Sequence, residues 1–125
     1  MVNLYLTRHG ENLKGVLQGQ SNGTLSPLGL RQAESLALRM ESVPLEAIIS
    51  SKLSRSVITA EAVAARHPNA LFVETELLNE VDTGIYTGKP ASLLDWHNLP
   101  DEGLESMEEL YARAGRLLDW LRSKF

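Results

Sequence analysis

The sequence predicts an α/β fold built around a mostly parallel sheet. The first observation is the stretch 3–11, where an apolar run of strand-forming residues ends abruptly in a cation, an imidazole and a glycine. A buried parallel strand shows this pattern when its polar end emerges at the sheet edge where open α/β folds place their ligands. The second observation is that two more short apolar stretches, 45–51 and 71–73, alternate with stretches of helical periodicity.

Composition and charge limit the class of protein. The 125 residues fit one domain, and a hydrophobic share of 43% with a charged share of 22% is ordinary for a soluble globular chain. The 12 basic and 16 acidic residues give a net charge of −4, which argues against non-specific binding to nucleic acid or anionic membranes. The absence of cysteine excludes disulfides and thiolate chemistry. With neither an apolar run of roughly 20 residues nor a signal-peptide pattern, we expect a cytoplasmic protein.

The polar end of the first predicted strand carries side chains suited to phosphate chemistry. Arg8 offers a fixed fork of N–H donors for phosphate oxygens, and His9 offers a neutral ring nitrogen that can act as a nucleophile. Gly10 lets the backbone turn sharply and approach a ligand closely. The glycine-rich stretch 11–29 is either a surface connection or a phosphate-facing loop that supplies backbone N–H groups. Its position beside His9 favours the second interpretation.

Three helices are predicted from capping residues and apolar spacing. The first begins at Ser26, with Pro27 at its first helical position. The second spans roughly 53–66, and the third begins at Ser106 with Glu109 three residues later, which is a capping box. The residues expected to be buried are Leu30, Ala33, Leu36, Ala37 and Met40 in the first helix, Val57, Ala60, Ala64 and Ala65 in the second, and Leu110, Ala114, Leu117, Leu118 and Leu121 in the third.

Two polar side chains of the second helix allow more than one interpretation. Arg55, in the first turn, either helps to hold an anion at the helix N-terminus or pairs with a carboxylate such as Glu61. His67 is expected to be a residue at the helix end rather than a catalytic one, because Pro68 stops the helix there.

The stretch from the third predicted strand to the third helix is rich in loops. By its own context, Glu80 is a plain surface carboxylate. A short helix is predicted near 92–96, where Trp96 either lines a substrate entrance or packs against the core. For His97 the packing role is preferred.

Five ordered segments of the chain carry a resemblance to a known family. They are Leu6-Thr7-Arg8-His9-Gly10-Glu11, then Asn12 with Gly15 and Gln18-Gly19, then the stretches 25–33, 49–60 and 77–89. In this order they resemble the motifs of the histidine phosphatase superfamily, which includes the cofactor-dependent phosphoglycerate mutases and many phosphatases. The resemblance implies a three-layer α/β/α sandwich around a mostly parallel sheet. It also implies a phosphomonoester phosphatase that works through a phosphohistidine intermediate.

The resemblance assigns four catalytic residues. His9 is the nucleophile, and Arg8 and Arg55 neutralise the phosphate and align it with His9. Since His9 attacks as the neutral imidazole, its other nitrogen is expected to carry a proton held by a backbone carbonyl. Glu80 matches the family's acid, which protonates the leaving alkoxide. A neighbouring phosphate makes a carboxyl hold its proton more tightly, which suits this role.

The same resemblance implies that Asn12, Gln18 and Gly19 contact the phosphate. The family pattern has three more residues between Glu11 and Asn12, which is roughly 10 Å of extended chain. The family also has a further strand that ends in a Ser-His-Gly element with a second catalytic histidine. This element has no counterpart in residues 1–125. We therefore expect a single, partial histidine phosphatase-like domain, a piece of a longer enzyme, with one apolar sheet edge unpaired.

The expected partner is a small phosphomonoester. No metal, cofactor, nucleic acid or membrane is implied, and a homodimer stays open. Two other functions stay open as well: phosphoryl transfer of the phosphoglycerate mutase type, and a non-catalytic phosphoester-binding or interaction module. A phosphatase is preferred to a mutase because mutases of this family are longer chains with extra substrate-binding segments.

Overall fold

Helices and strands alternate along the chain, as predicted. The computed structural model describes residues 1–12, 18–20, 22–100 and 102–125. The helices are α1 (Pro27–Met40), α2 (Ser54–Ala64) and α3 (Met107–Lys124), and the strands are β1 (Ala47–Ser50) and β2 (Leu71–Glu74). Short 3-10 helices follow β2 at Glu76–Leu78, Gly84–Tyr86 and Ala91–Leu93. The predicted helices and the second and third predicted strands are therefore confirmed.

β1 and β2 form a parallel sheet, which confirms the predicted α/β class. Ala47 lies opposite Leu71, and Ser50 lies opposite Glu74. α2 connects the two strands and packs against both β1 and α1. Parallel strands require a crossover of this kind. β1 leads through the buried Ser51 into α2. The start of α2 therefore lies at the sheet edge where α/β proteins bind ligands.

The stretch 3–8 is not part of this sheet. The prediction of a buried first strand is therefore wrong for the part of the chain that the structure describes. Leu6 is 85% exposed, and Leu4 and Tyr5 are also largely exposed. A strand is stable only when a neighbouring strand pairs with its N–H and C=O groups. None of the described residues forms such a ladder with this stretch.

Small residues form the buried face of α1. Ser26 caps the helix, because its hydroxyl oxygen accepts a hydrogen bond from the Gly29 N–H group at 3.0 Å. Gly29, Ala33 and Ala37 are buried, and the helix packs against α2. The prediction that Leu30 is buried is wrong, since about half of its surface is exposed. Leu30 follows Gly29 by about 100° around the helix, which turns it away from the contact row.

α2 buries a different face from the one predicted. Its buried residues are Arg55, Thr59 and Val63, which form one row at a spacing of four. Of the residues predicted to be buried, Val57, Ala60 and Ala64 are only half-buried, and Ala65 is exposed. The burial prediction for these four positions is therefore wrong. An arginine and a threonine lead the buried row because this face of α2 lies against polar groups from other segments, described below.

α3 begins at its predicted cap. The Ser106 hydroxyl oxygen accepts a hydrogen bond from the Glu109 N–H group at 3.1 Å. The helix packs against the 3-10 helix Glu76–Leu78. None of the α3 residues is fully buried. Ala114 and Leu118 are exposed, contrary to prediction, and the other three leucines of the stripe are half-buried. No helix within the described ranges has the length and apolar character needed to cross a membrane.

Candidate active site

The segment Arg8-His9-Gly10 lies against α1 and α2 and forms one wall of a cleft. The cleft has a volume of about 270 Å³. Its lining consists of Thr7, Arg8, His9, Gly10, Gln32, Ala33, Leu36 and Thr59. Arg8 is exposed and His9 is half-buried, so both side chains are accessible from the cleft. This segment therefore places a cation and an imidazole at an open surface.

Thr59 joins the segment Arg8-His9-Gly10 to α2. The Gly10 N–H group donates to the Thr59 hydroxyl oxygen at 3.0 Å, and the same hydroxyl donates to the Arg55 carbonyl oxygen at 2.8 Å. Both bonds are buried. A Cβ atom at Gly10 would lie 2.3 Å from the Gly29 carbonyl oxygen. The glycine is therefore required for a close approach to the backbone of α1, and not only for the approach to a ligand that the sequence suggested.

The ring of His9 contacts the backbone of the next residue. Its Nδ1 atom lies 2.7 Å from the Gly10 carbonyl oxygen. A carbonyl oxygen can only accept a hydrogen bond, so this contact is made when Nδ1 carries the proton. In the neutral ring with this tautomer, the lone pair resides on Nε2. This geometry matches the tautomer expected for a nucleophilic imidazole.

Arg55 is the most deeply placed charged residue of the site. It is only 1% exposed, and its Nη2 donates to the Gly19 carbonyl oxygen. Burial lowers the pKa of Arg55, and the negative charge of Glu80 acts in the opposite direction. The guanidinium remains charged, because arginine starts from a very high pKa. The Arg55 guanidinium therefore lies next to Gly19, and its positive charge interacts with the negative charge of Glu80.

The Gln18-Gly19 segment packs against the loop that follows Glu80. Gly19 has a φ of 50°, and a Cβ atom there would lie 2.2 Å from the Thr83 hydroxyl oxygen. Thr83 is buried, and its hydroxyl lies 2.7 Å from that of Thr87. Gln18 is buried as well. These contacts bring the predicted phosphate-binding segment next to the loop of the predicted acid.

Asn12 lies at the start of the same glycine-rich stretch. It forms an isolated antiparallel bridge with Leu25. The preceding Glu11 accepts a hydrogen bond from the Ser26 N–H group at 2.8 Å and donates its own N–H group to Gln32 Oε1 at 2.8 Å. These bonds fix the chain after His9 against the start of α1. The motif position Gly15 lies outside the described residues.

Glu80 lies in an exposed position between two 3-10 helices. Its Oε1 accepts a hydrogen bond from the Val81 N–H group at 3.1 Å. Its backbone carbonyl accepts bonds from Gln20 Nε2 at 3.1 Å and from Arg113 Nη2 at 3.3 Å. The side chain is therefore exposed to solvent while its backbone is held. The sequence interpretation did not identify Arg113 or Thr59, whose only local signals are a charge in a helix and a hydroxyl four residues after Arg55.

The other two histidines lie in structural or surface positions. The Nε2 atom of His67 lies 3.0 Å from the Met40 carbonyl oxygen at the end of α1, which agrees with the structural role expected for it. Trp96 and His97 are exposed, so the packing role preferred for His97 is wrong. Within the described ranges, no three histidine, aspartate or glutamate side chains converge to form a metal-binding group.

Known proteins share both the sequence pattern and this fold. The chain is 36% identical over 98 residues to a probable phosphoglycerate mutase, GpmB, of Proteus mirabilis, an alignment that covers 76% of this chain and 45% of that protein. It superposes on Bacillus stearothermophilus YhfR with a TM-score of 0.84 at 26% identity, covering 94% of this chain and 66% of the other. It superposes on a mycobacterial glucosyl-3-phosphoglycerate phosphatase with a TM-score of 0.79 at 26% identity, covering 93% and 62%.

The shared region is a part of each of these proteins. The chain spans 45% to 62% of the length of the curated relatives that it matches first. The sequence model of the histidine phosphatase superfamily (branch 1) matches residues 4–125, which is nearly the whole chain. The predicted family and fold are confirmed by this match and by the superpositions, and the chain belongs to the histidine phosphatase superfamily.

Proposed function

We propose that this chain carries the active site of a phosphomonoester phosphatase that acts on a small phosphorylated metabolite through a phosphohistidine intermediate. The observation that carries the proposal is the 2.7 Å contact between His9 Nδ1 and the Gly10 carbonyl oxygen. In the neutral imidazole this contact leaves Nε2 unprotonated, and the ring lines an open cleft.

The reaction can be written with the chain's own residues. His9 Nε2 forms a bond to phosphorus while the bond between phosphorus and the ester oxygen breaks. Glu80 delivers a proton to the departing oxygen. Water then attacks phosphorus as the bond between phosphorus and Nε2 breaks, and one water proton passes to the Glu80 carboxylate, which releases inorganic phosphate and restores the neutral ring and the protonated acid. Each half-reaction moves one phosphoryl group, and no electron is gained or lost.

Positive charge near the nucleophile supports this assignment in a chain that is acidic as a whole. Arg8 lines the cleft beside His9. Arg55 supplies a buried charge at the start of α2, and the Thr59 hydroxyl connects its backbone to Gly10. A phosphoryl group in transfer carries charge on its non-bridging oxygens, so guanidinium groups stabilise it more strongly as the reaction proceeds. Asn12, Gln18 and Gly19 are proposed to complete the phosphate site.

The names of the relatives leave a second candidate. The Proteus mirabilis relative is described as a probable phosphoglycerate mutase, and the mycobacterial protein as a glucosyl-3-phosphoglycerate phosphatase. In a mutase, a second hydroxyl replaces water as the acceptor of the phosphoryl group. A third candidate is a non-catalytic module that binds phosphoesters. All three share the phosphate site, and they differ in whether the phosphoryl group moves and what accepts it.

Trapping of the phosphoenzyme tests the proposal. Incubation with a labelled aryl phosphate followed by a rapid quench is expected to leave acid-labile label on the wild-type chain. His9→Ala should abolish both this label and the release of phosphate. His97→Ala is the matched control, because His97 is exposed and lies outside the cleft, and it should retain both. Equal labelling of the His9→Ala and wild-type proteins would refute the nucleophile. Binding of inorganic phosphate without any turnover would favour the module.

A further inference from the structure

The loop that carries Glu80 has little secondary structure of its own. It runs from Asn79 to Thr83, between the 3-10 helices Glu76–Leu78 and Gly84–Tyr86. A general acid must be held close to the atom that it protonates, because small displacements cost large factors in rate. The loop must therefore be fixed by residues from elsewhere in the chain.

One α3 side chain binds the backbone of this loop at several points. Arg113 Nη1 donates to the carbonyl oxygens of Leu77, at 3.4 Å, and of Asn79. Its Nη2 donates to the carbonyl oxygen of Glu80 at 3.3 Å. The Arg113 side chain is only 11% exposed. A single planar guanidinium thus binds three carbonyl groups at and before Glu80.

Glu105 holds the guanidinium from the other side and extends the attachment beyond Glu80. Its carboxylate accepts Arg113 Nε at 3.0 Å and Nη2 at 2.7 Å, which is a bidentate pair. The same carboxylate accepts the Asp82 N–H group at 3.0 Å. The Glu105 N–H group donates to the Asp82 carbonyl oxygen at 2.7 Å. The loop is therefore bound on both sides of Glu80 by two residues that belong to α3 and its preceding turn.

We propose that the Glu105–Arg113 pair is the positioning device of the catalytic acid, and this inference rests on the proposed function. Neither side chain lines the cleft beside His9. Arg113 contacts Glu80 only through its backbone carbonyl, and Glu105 acts through Arg113 and Asp82, while Glu80 itself stays exposed. Lysine cannot replace Arg113 here, because an ammonium group lacks the planar fork that reaches carbonyls and a carboxylate together.

The experiment measures how much the reaction depends on acid assistance. The substrates are 4-nitrophenyl, phenyl and 2-phenylethyl phosphate, whose leaving groups need progressively more help from a proton donor. The measured quantity is kcat/KM, which reports the steps up to departure of the alcohol. Arg113→Gln is expected to lower kcat/KM about 30-fold for the 2-phenylethyl ester and less than about 3-fold for the 4-nitrophenyl ester.

Further variants separate positioning from a general loss of structure. Glu80→Gln removes the proposed acid itself. Its rates therefore show the largest leaving-group dependence that loss of the acid can produce. Arg113→Lys should give nearly the effect of Arg113→Gln, and Glu105→Gln should give a smaller effect of the same kind. Arg122→Gln is the matched control, because Arg122 lies on the same helix with its side chain 77% exposed, and it should leave all three rates unchanged. Hydrogen–deuterium exchange of the Val81 and Asp82 amides should accelerate in Arg113→Gln and not in Arg122→Gln.

The possible results distinguish this inference from the function on which it rests. Faster exchange with an equal loss of rate for all three esters would show a structural role alone and overturn the positioning role. Unchanged exchange and unchanged leaving-group dependence would also overturn it. If the wild-type chain hydrolyses none of the esters, the proposed function fails, and the positioning role fails with it. If the Glu80→Gln protein forms a normal phosphoenzyme and shows no leaving-group dependence, Glu80 is not the acid and the positioning role is overturned. The assignment of His9 as nucleophile would stand.

Discussion

At the residue scale, the candidate site depends on a side-chain hydroxyl that forms hydrogen bonds with two backbone groups. The Thr59 hydroxyl accepts the Gly10 N–H group and donates to the Arg55 carbonyl, and both bonds are buried. A buried N–H group without a partner costs roughly 1–3 kcal/mol. The Thr59 hydroxyl therefore links the segment that carries His9, the proposed nucleophile, to α2, which carries the buried Arg55.

Substitution of this threonine should affect both stability and rate. Thr59→Val keeps the side-chain volume but leaves the Gly10 N–H group without its acceptor. We expect a loss of about 2 kcal/mol in the free energy of unfolding, measured by urea denaturation, and a fall of about 10-fold in kcat. Thr59→Ser retains the hydroxyl and should keep most of both. Equal behaviour of the valine and serine variants would show that the hydrogen bonds are unimportant.

At the element scale, the closest contacts are between backbones. Gly29 lies in the first turn of α1, and a Cβ atom there would lie 2.1 Å from the Glu11 carbonyl oxygen. That distance cannot be relieved by a side-chain movement, because the neighbouring atom belongs to the backbone. Gly115 lies within α3, and a Cβ atom there would meet nothing within 4 Å. The two helical glycines therefore have opposite structural roles.

The same substitution should consequently have opposite effects at these two positions. Gly29→Ala is expected to destabilise the fold by more than about 2 kcal/mol, because it forces the start of α1 away from residues 10–11. Gly115→Ala should stabilise it by roughly 0.5–1 kcal/mol, because alanine loses less conformational entropy in a helix. Thermal and urea unfolding of both variants would measure the difference. A neutral Gly29→Ala variant would contradict the close packing at Glu11.

At the scale of the whole molecule, two groups of elements meet at the site. α1, α2, β1 and β2 pack together, and α3 packs against the 3-10 helix Glu76–Leu78. The first group carries Arg55, and the second carries the loop of Glu80. Bonds between the two groups include the one from the Lys52 N–H group to Asn79 Oδ1 at 3.2 Å. The side chains of the Glu105–Arg113 ion pair are only 11% exposed, so the pair links the stability of the second group to pH.

The pH dependence follows from the direction of one pKa shift. The hydrogen bond from Arg113 holds the pKa of Glu105 below its ordinary value of 4.5. The unfolded chain therefore binds more protons than the folded chain between those two pKa values, and stability falls as the pH drops through that window. The contribution of ionised Glu105 to the free energy of unfolding is complete above its ordinary pKa. It disappears as the pH falls through the pKa of the folded state.

Glu105→Gln should reveal this contribution directly. At pH 7 the variant is expected to be less stable than wild type by roughly 2 kcal/mol, the value of a hydrogen bond between charged groups. The difference should be constant above about pH 5.5 and should shrink as the pH falls below about 4.5. Asp119→Asn is the control, because its pair with Arg122 is exposed and contributes little. A difference that stays constant down to pH 3 would contradict the assigned shift.

The sequence by itself determined the features whose signals are local. The caps at Ser26 and Ser106 and the short strands β1 and β2 are each encoded by neighbouring residues, and the ordered motifs identified the family. The tertiary structure decided which faces are buried and how the site is held. The bond from Gly10 to Thr59 joins residues 49 positions apart, and that from Arg113 to Asn79 joins residues 34 positions apart. Periodicity describes a face of one element, whereas burial depends on which distant group packs against it. For this reason the exposed stretch 3–8 and the polar face of α2 could not be predicted from the sequence.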